Sequence, residues 1–214
     1  MRNNATGAEN QQGSPLSLFL QRYDPSETTR RAPLSNAEIC AYLQGALHDA
    51  SRNKRTRIRF TQGNREWLEF LQLLLGSLGH KAWLYREGKN RHVWCLETTA
   101  QCLDFSCEVT HLSSLNEQKA YIRGFFDAEG GMPRNTASTL YFQLVQNDRP
   151  KLERIKQVLD QMNIATGKIH NPSVRLHPEY WRMFVVTRSH RTFMETIGSW
   201  HPRKAEEIRK RMMI

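Results

Sequence analysis

Apolar residues recur three and four apart in two stretches of this chain. In the stretch beginning at Arg65 they fall at Leu68, Leu71, Leu75 and Leu78, and in the stretch beginning at Arg149 at Leu152, Ile155, Leu159 and Met162. That period predicts two amphipathic helices. Each helix follows a strand-like run, RTRIRFTQ in the first stretch and STLYFQLVQ in the second. Two further extended runs come after each helix, HKAWLYR and RHVWCLETT in the first copy and TGKIH and YWRMFVVTR in the second, with EGKN and HNPS as the intervening turn signals. A shorter helical segment closes each copy.

The duplication reaches further upstream. SNAEICAYLQG begins at Ser35 and SLNEQKAYIRG at Ser114, so that Ser35, Glu38, Tyr42 and Gly45 match Ser114, Glu117, Tyr121 and Gly124. Ser-x-x-Glu is a capping box, in which each side chain satisfies an amide group exposed at a helix start. Both copies therefore open with a helix. The order helix, strands, helix, strands, helix, repeated once, predicts an α+β fold of two pseudo-symmetric halves, residues 35–113 and 114–214, after an N-terminal tail of residues 1–34. Residues 1–14 have the composition of a disordered segment, and the pattern assigns residues 15–34 no place.

Ala41 and Gly45 form a small-residue stripe on the first opening helix, as Ala120 and Gly124 do on the second. Small residues four apart let helix backbones approach closely, so the two helices are expected to cross there. Their C-terminal ends then lie side by side, and each ends on an acid, Asp49 or Glu129. Two carboxylates at helix C-termini are mutually unfavourable. A hard divalent cation such as Mg²⁺ relieves that repulsion, and carboxylates holding such an ion near a phosphate are a recurring basis of nuclease chemistry. The acids are out of step by one residue: counted from the glycines, Ala50 stands opposite Glu129. One residue is about 100° of helix, so Asp49 reaches the shared site only if the last turn is tightened or unwound. His48 beside it reads as a packing or surface histidine.

Charge adds a partner. With 31 Lys and Arg against 21 Asp and Glu, the chain carries a net charge of +10, which favours encounter with polyanions. In one predicted strand Arg55, Arg57 and Arg59 alternate with Thr56, Ile58 and Phe60. Period two sets the three guanidinium groups on one sheet face, where they suit phosphates or guanine edges. Arg65, Gln143, Arg149, Lys168 and Arg182 complete the candidate DNA-contacting set. The four cysteines have no zinc-like spacing, and free thiols in a reducing compartment are the expectation. No long apolar run suggests a membrane span. No signal-peptide pattern suggests secretion, so an intracellular location with the DNA is expected.

At these residues the sequence resembles the LAGLIDADG homing endonucleases in their single-chain, two-motif form. YIRGFFDAEGG is the stronger match to the family motif and YLQGALHDAS the weaker, while TQGNREWL and WHPRK are also similar to family segments. The resemblance covers roughly residues 35–212. It implies an αββαββα fold in each half, a pair of motif helices at the interface and saddle-shaped antiparallel sheets over double-stranded DNA. It further implies a monomer, Mg²⁺ or another divalent cation held by Asp49 and Glu129, and one phosphodiester cut per strand. Gln62 and Gln146 fall at the polar positions near the active-site waters, and Lys204, with Lys119 as its rough counterpart, at the basic position that helps polarise the site. The alternative is a nucleic-acid-binding protein on the same scaffold without cleavage, as an intron RNA maturase or a DNA-binding regulator.

Overall fold

The computed structural model describes residues 14–23, 34–54, 56–88, 91–135 and 137–212. A short helix α1 (Pro15–Tyr23) precedes the first motif helix α2 (Asn36–Ala46), which a 3₁₀ turn (Leu47–Asp49) extends. The first half continues with β1 (Ala50–Asn53), β2 (Arg57–Gln62), α3 (Arg65–Ser77), β3 (Ala82–Arg86) and β4 (Trp94–Thr98). The second half holds the motif helix α4 (Leu115–Glu129), β5 (Gln143–Gln146), α5 (Arg149–Gln161), β6 (Trp181–Phe184) and α6 (His190–Thr196). A final helix α7 (Pro202–Met212) follows, in contact with α1.

Local chemistry starts the helices in matched pairs. Ser35 caps α2, accepting from the Glu38 amide while the Glu38 carboxylate accepts from the Ser35 amide at 2.8 Å. Ser114 caps α4 by accepting from the Glu117 amide. Asn64 and Asp148 cap α3 and α5 by accepting from the amides of Trp67 and Lys151. The apolar stripes of α3 and α5 are buried at Leu68, Leu71, Leu75, Leu152, Ile155 and Leu159.

The first sheet is antiparallel in the order β1-β2-β4-β3. In the second, β5 pairs with β6, and single bridges join Gly131 to Gln143 on one side and Thr166 to Val185 and His170 to Arg182 on the other. The strand order of the first sheet is thus repeated, but TGKIH and the segment after α4 contribute bridges in place of strands. Pro133 has no amide hydrogen for a ladder, and Gly167 has no side chain to pack on a sheet. The helix expected to close the first copy is also absent: the segment before α4 holds only a 3₁₀ turn (Val109–His111). The N-terminal segment, unplaced by pattern, docks α1 on α3, with Leu20 and Tyr23 buried and Phe19 stacked on Phe70 at 4.3 Å.

The motif helices cross through backbone contact. A Cβ built on Gly45 would stand 2.0 Å from the Tyr121 carbonyl oxygen, and one on Gly124 would stand 2.0 Å from that of Tyr42. Ala41 and Ala120 are buried on the same faces. The helices approach as closely as main chains allow, and this sets where their C-terminal ends, and the acids there, come to lie. Among the described residues no helix is long and apolar enough to cross a membrane.

Candidate metal centre and nucleic-acid face

The one-residue offset between the acids is absorbed in the turn after α2. Residues Leu47–Asp49 wind as a 3₁₀ helix, after which Ala50 is extended, whereas α4 stays α-helical to Glu129. A 3₁₀ step rises about 2.0 Å, against 1.5 Å for an α-helical one. From Gly45 to Asp49 the chain therefore climbs about 7.5 Å in four steps, the same as from Gly124 to Glu129 in five. The rotation falls short by about 40° rather than the 100° of an uninterrupted α-helix.

The two carboxyl groups share a partly buried site. Burial, then the charge of Glu129, pushes Asp49 up to about 7, and Lys204 opposes the rise. Burial likewise raises Glu129, again opposed by Lys204. The Gln62 side-chain amide, at the end of β2, donates to the Asp49 carboxylate.

Lys204 is buried beneath this pair. Its ammonium donates to the main-chain oxygens of Phe126, Asp127 (3.0 Å) and Gly130 (2.7 Å). A positive charge at the carbonyl end of α4 is favourable, while burial lowers its pKa to about 8. All three donor positions face main-chain carbonyls, so Lys204 acts on the acids through its charge. Lys119 is a correction. It lies in the first turns of α4, ten residues from Glu129, which is about 15 Å along the helix axis. There it lines a pocket with Glu38, Asn116 and Arg123, away from the acids.

Gln146 does not repeat the bond made by Gln62. It bonds His48 at 2.8 Å, and His48 bonds the Tyr121 hydroxyl at 2.9 Å. Burial, then the Lys151 charge, lowers His48 to about 4, so the ring is neutral. His48, expected as a packing or surface histidine, is a polar link between the halves.

A second polar centre was not anticipated. Asp127 is buried and accepts from the Tyr42 hydroxyl (2.7 Å), the Ser199 hydroxyl and the amides of Trp200 (2.9 Å) and His201 (3.1 Å). Trp67 donates to Tyr42 at 3.0 Å. Burial raises Asp127, and Lys204 opposes that most strongly. This carboxylate ties the segment before α7 to both motif helices and so places Lys204. Its signal lay in the motif itself, as the acid two residues before Glu129.

The sheet faces carry the candidate nucleic-acid contacts. Ile58 and Phe60 are buried, and Arg57 and Arg59 lie on the opposite face. Arg55 lies outside the described residues. The expectation of a row of one sign is corrected by cross-strand pairing. Glu97, opposite Arg59 on β4, accepts from Arg57 (3.1 Å), Asn53 (2.6 Å) and Tyr85 (3.0 Å), and Glu87 accepts from Arg59 at 2.8 Å. Trp83 and Tyr85 are exposed on this face. The second sheet presents Gln143 and Arg182 beside the exposed Lys168, with the Arg182 guanidinium 5.3 Å from the Phe184 ring. Arg65 and Arg149 are equivalent. Each bonds the Glu four residues on at 2.8 Å and lies over an indole ring, Trp94 at 4.6 Å or Trp181 at 4.9 Å.

The family model described as a LAGLIDADG-like domain matches residues 48–106 and 116–198. The chain belongs to the LAGLIDADG family. In this LAGLIDADG chain the first matched segment begins at His48, so α2, with its divergent motif, lies outside it. None of the curated proteins matches the sequence. The fold is similar to that of the homing endonuclease I-DmoI in complex with DNA and Mn, at 19% identity over 77% of this chain and 98% of that one, with a TM-score of 0.58. It is also similar to full-length DUF199/WhiA from Thermatoga maritima, at 17% identity over 92% of this chain and 65% of that one, with a TM-score of 0.63. At these identities the likeness establishes the fold.

The raised Asp49 leads to a prediction for the metal-free protein. A folded-state pKa of about 7, against 3.8 for an ordinary aspartate, means that the folded state binds more protons between those values. Stability from this group is greatest below pH 4 and falls as pH rises through 7. Asp49→Asn, which keeps an acceptor for Gln62, is expected to stabilise the metal-free protein by about 2 kcal/mol above pH 8 and by almost nothing at pH 4. Thermal melts in a chelator across that range measure it. A variant no more stable than the parent at pH 8 would contradict a buried, repelled Asp49.

Proposed function

We propose that this chain is a site-specific DNA endonuclease that uses a divalent cation to break both strands of a long, asymmetric target. The observation that carries the reading is the convergence of Asp49 and Glu129 at the ends of two crossing motif helices. The complexes of I-DmoI with its target DNA, solved with Mn, Mg or Ca, support the same chemistry here.

The donor set fits a hard divalent cation. Both side chains offer carboxylate oxygens; burial has raised the pKa values of both, and the Glu129 charge adds to the rise at Asp49. Among the described residues no third His, Cys, Asp or Glu joins them, and Mg²⁺ commonly keeps several waters and takes substrate phosphates as ligands. When bound, the cation stabilises charge on the scissile phosphate and lowers the pKa of water. Asp49 and Glu129 hold it, Gln62 orients Asp49, and Lys204 offsets the charge of the carboxylate pair. Arg57, Arg65, Arg149, Lys168 and Arg182 supply phosphate or base contacts, with Gln143 at the base edges. The reading includes a monomer acting inside the cell, encoded within an intron or similar mobile element.

A second reading, binding without cleavage to DNA or intron RNA, is favoured by the divergent first motif and by the one-residue offset of Asp49. A duplex spanning the joined flanks of the insertion separates the two. With Mg²⁺, the purified chain is expected to make one double-strand break in it, and chelation is expected to stop the reaction. A duplex that is bound with sequence preference yet stays intact in Mg²⁺ and Mn²⁺ would establish the second reading.

A further inference from the structure

The seam between the halves holds a hydrogen-bonded chain that the two acids do not use. Its first member is Gln146, whose Oε1 accepts from the amides of Asn147 (2.7 Å) and Asp148 (3.3 Å). Those bonds fix the orientation of the carboxamide and turn Nε2, a donor only, toward His48 Nδ1 at 2.8 Å. A ring nitrogen that accepts carries no proton, so the proton is on Nε2, which faces the Tyr121 hydroxyl at 2.9 Å. Tyr121 in turn donates to the Cys107 carbonyl at 3.4 Å. Phe125 packs edge-on against the imidazole, with ring centres 4.7 Å apart. Donor and acceptor roles are consistent from one end of the chain to the other.

The pseudo-symmetry shows what this chain changes. His48 precedes Asp49 in the first half, and in the second half the residue before Glu129 is Ala128. Ala128 has no side chain that can accept an amide, and Gln62 donates to the acid of its own half, Asp49. Gln146, the repeat counterpart of Gln62, meets His48 instead and is drawn across the seam to the other half. Glu129 is left, among the described residues, with no side-chain hydrogen bond.

We infer that His48 is a positioning residue that holds the Gln146 carboxamide away from Glu129 and so makes the two half-sites unequal, with one DNA strand cut before the other. The inference rests on the endonuclease reading. A carboxylate bonded to an amide has one oxygen engaged, and an unbonded one has both free for a cation. The strand served by the Glu129 half is cut first.

Strand-resolved cleavage of a doubly end-labelled duplex tests this. Wild-type protein is expected to accumulate one nicked strand at least about fivefold over the other. His48→Ala releases Gln146, and the ratio is expected to fall within about twofold of unity. His48→Asn keeps an acceptor oxygen near the place of Nδ1 and is expected to restore the bias. Adding Gln146→Ala to His48→Ala removes the released carboxamide and is expected to bring the bias back toward the wild-type ratio. A role in packing alone would slow both strands together and leave their ratio fixed. An unchanged ratio in His48→Ala, or His48→Asn behaving like His48→Ala, would overturn the inference. If wild-type protein cuts neither strand, the endonuclease reading itself fails, and strand order falls with it. Nitrogen-15 spectra of the His48 ring, with and without Gln146→Ala, read the bond in either event and in any variant that folds. A ring unaffected by that substitution would also refute the inference.

Discussion

Glu129→Gln is expected to slow strand cleavage roughly 1,000-fold or more, ~4 kcal/mol of transition-state stabilisation, while the protein still binds its duplex. Glutamine keeps the length and shape of the side chain at the end of α4 and removes only its charge. That charge is half of the pair that fits a divalent cation, and it is the charge that helps push Asp49 up to about 7. Once it is gone, Asp49 is expected to titrate lower and to stand as the lone acid. On the proposed reading duplex binding depends on the sheet faces, whose candidate contacts lie on β2, β5 and β6, at Lys168, and on the starts of α3 and α5. Anisotropy with a labelled target is expected to give an affinity within about threefold of wild type and the same salt slope. Cleavage at an undiminished rate would remove Glu129 from the chemistry, and lost binding would give it a role in assembling the fold.

The parts of this site that were legible are those with a local chemical signature. A capping serine and its glutamate sit three residues apart, and the glycines follow at helical spacing, so the two motif helices and their crossing could be read along the chain. The 3₁₀ turn before Ala50 was legible as a requirement, because an offset of one residue leaves little other way to bring Asp49 alongside Glu129. Contacts between distant segments were not legible. Glu97 and Glu87 pair with Arg57 and Arg59 from elsewhere in the chain, so the polarity of that face depended on strand pairing. Asp127 reaches segment 199–201, and nothing near it in sequence names those partners. Lys119 was misplaced because a short string match carries no information about which end of a helix it falls on. The role of His48 depends on Gln146, 98 residues away, and on the absence of a counterpart at Ala128.

Gly124→Ala is expected to be among the most damaging single-methyl changes at the described glycines. Its new Cβ would lie 2.0 Å from the Tyr42 carbonyl oxygen and 3.0 Å from the Ala46 amide nitrogen. Both are main-chain atoms of α2, so no side chain can rotate away and the helices must separate. Separation loosens the buried contacts of Tyr42, Leu43, Tyr121 and Phe125, which line the crossing. The cost is expected at the top of the overpacking range, about 3 kcal/mol or more, a fall in melting temperature of roughly 6–12 °C for a domain of this size. Gly45→Ala meets the Tyr121 carbonyl oxygen in the same way and is expected to cost as much. Gly76, in the last turns of α3, has nothing within 4 Å of its built Cβ, and Gly76→Ala there is expected to be neutral or slightly stabilising through helix propensity. Separation of α2 from α4 also moves Asp49 away from Glu129. Cleavage by Gly124→Ala should therefore fall further than its folded fraction does, even at temperatures where the protein is fully folded. A Gly124→Ala protein that melts and cleaves like wild type would show that the helices do not cross at these glycines, and the pairing of the two acids would lose its structural basis.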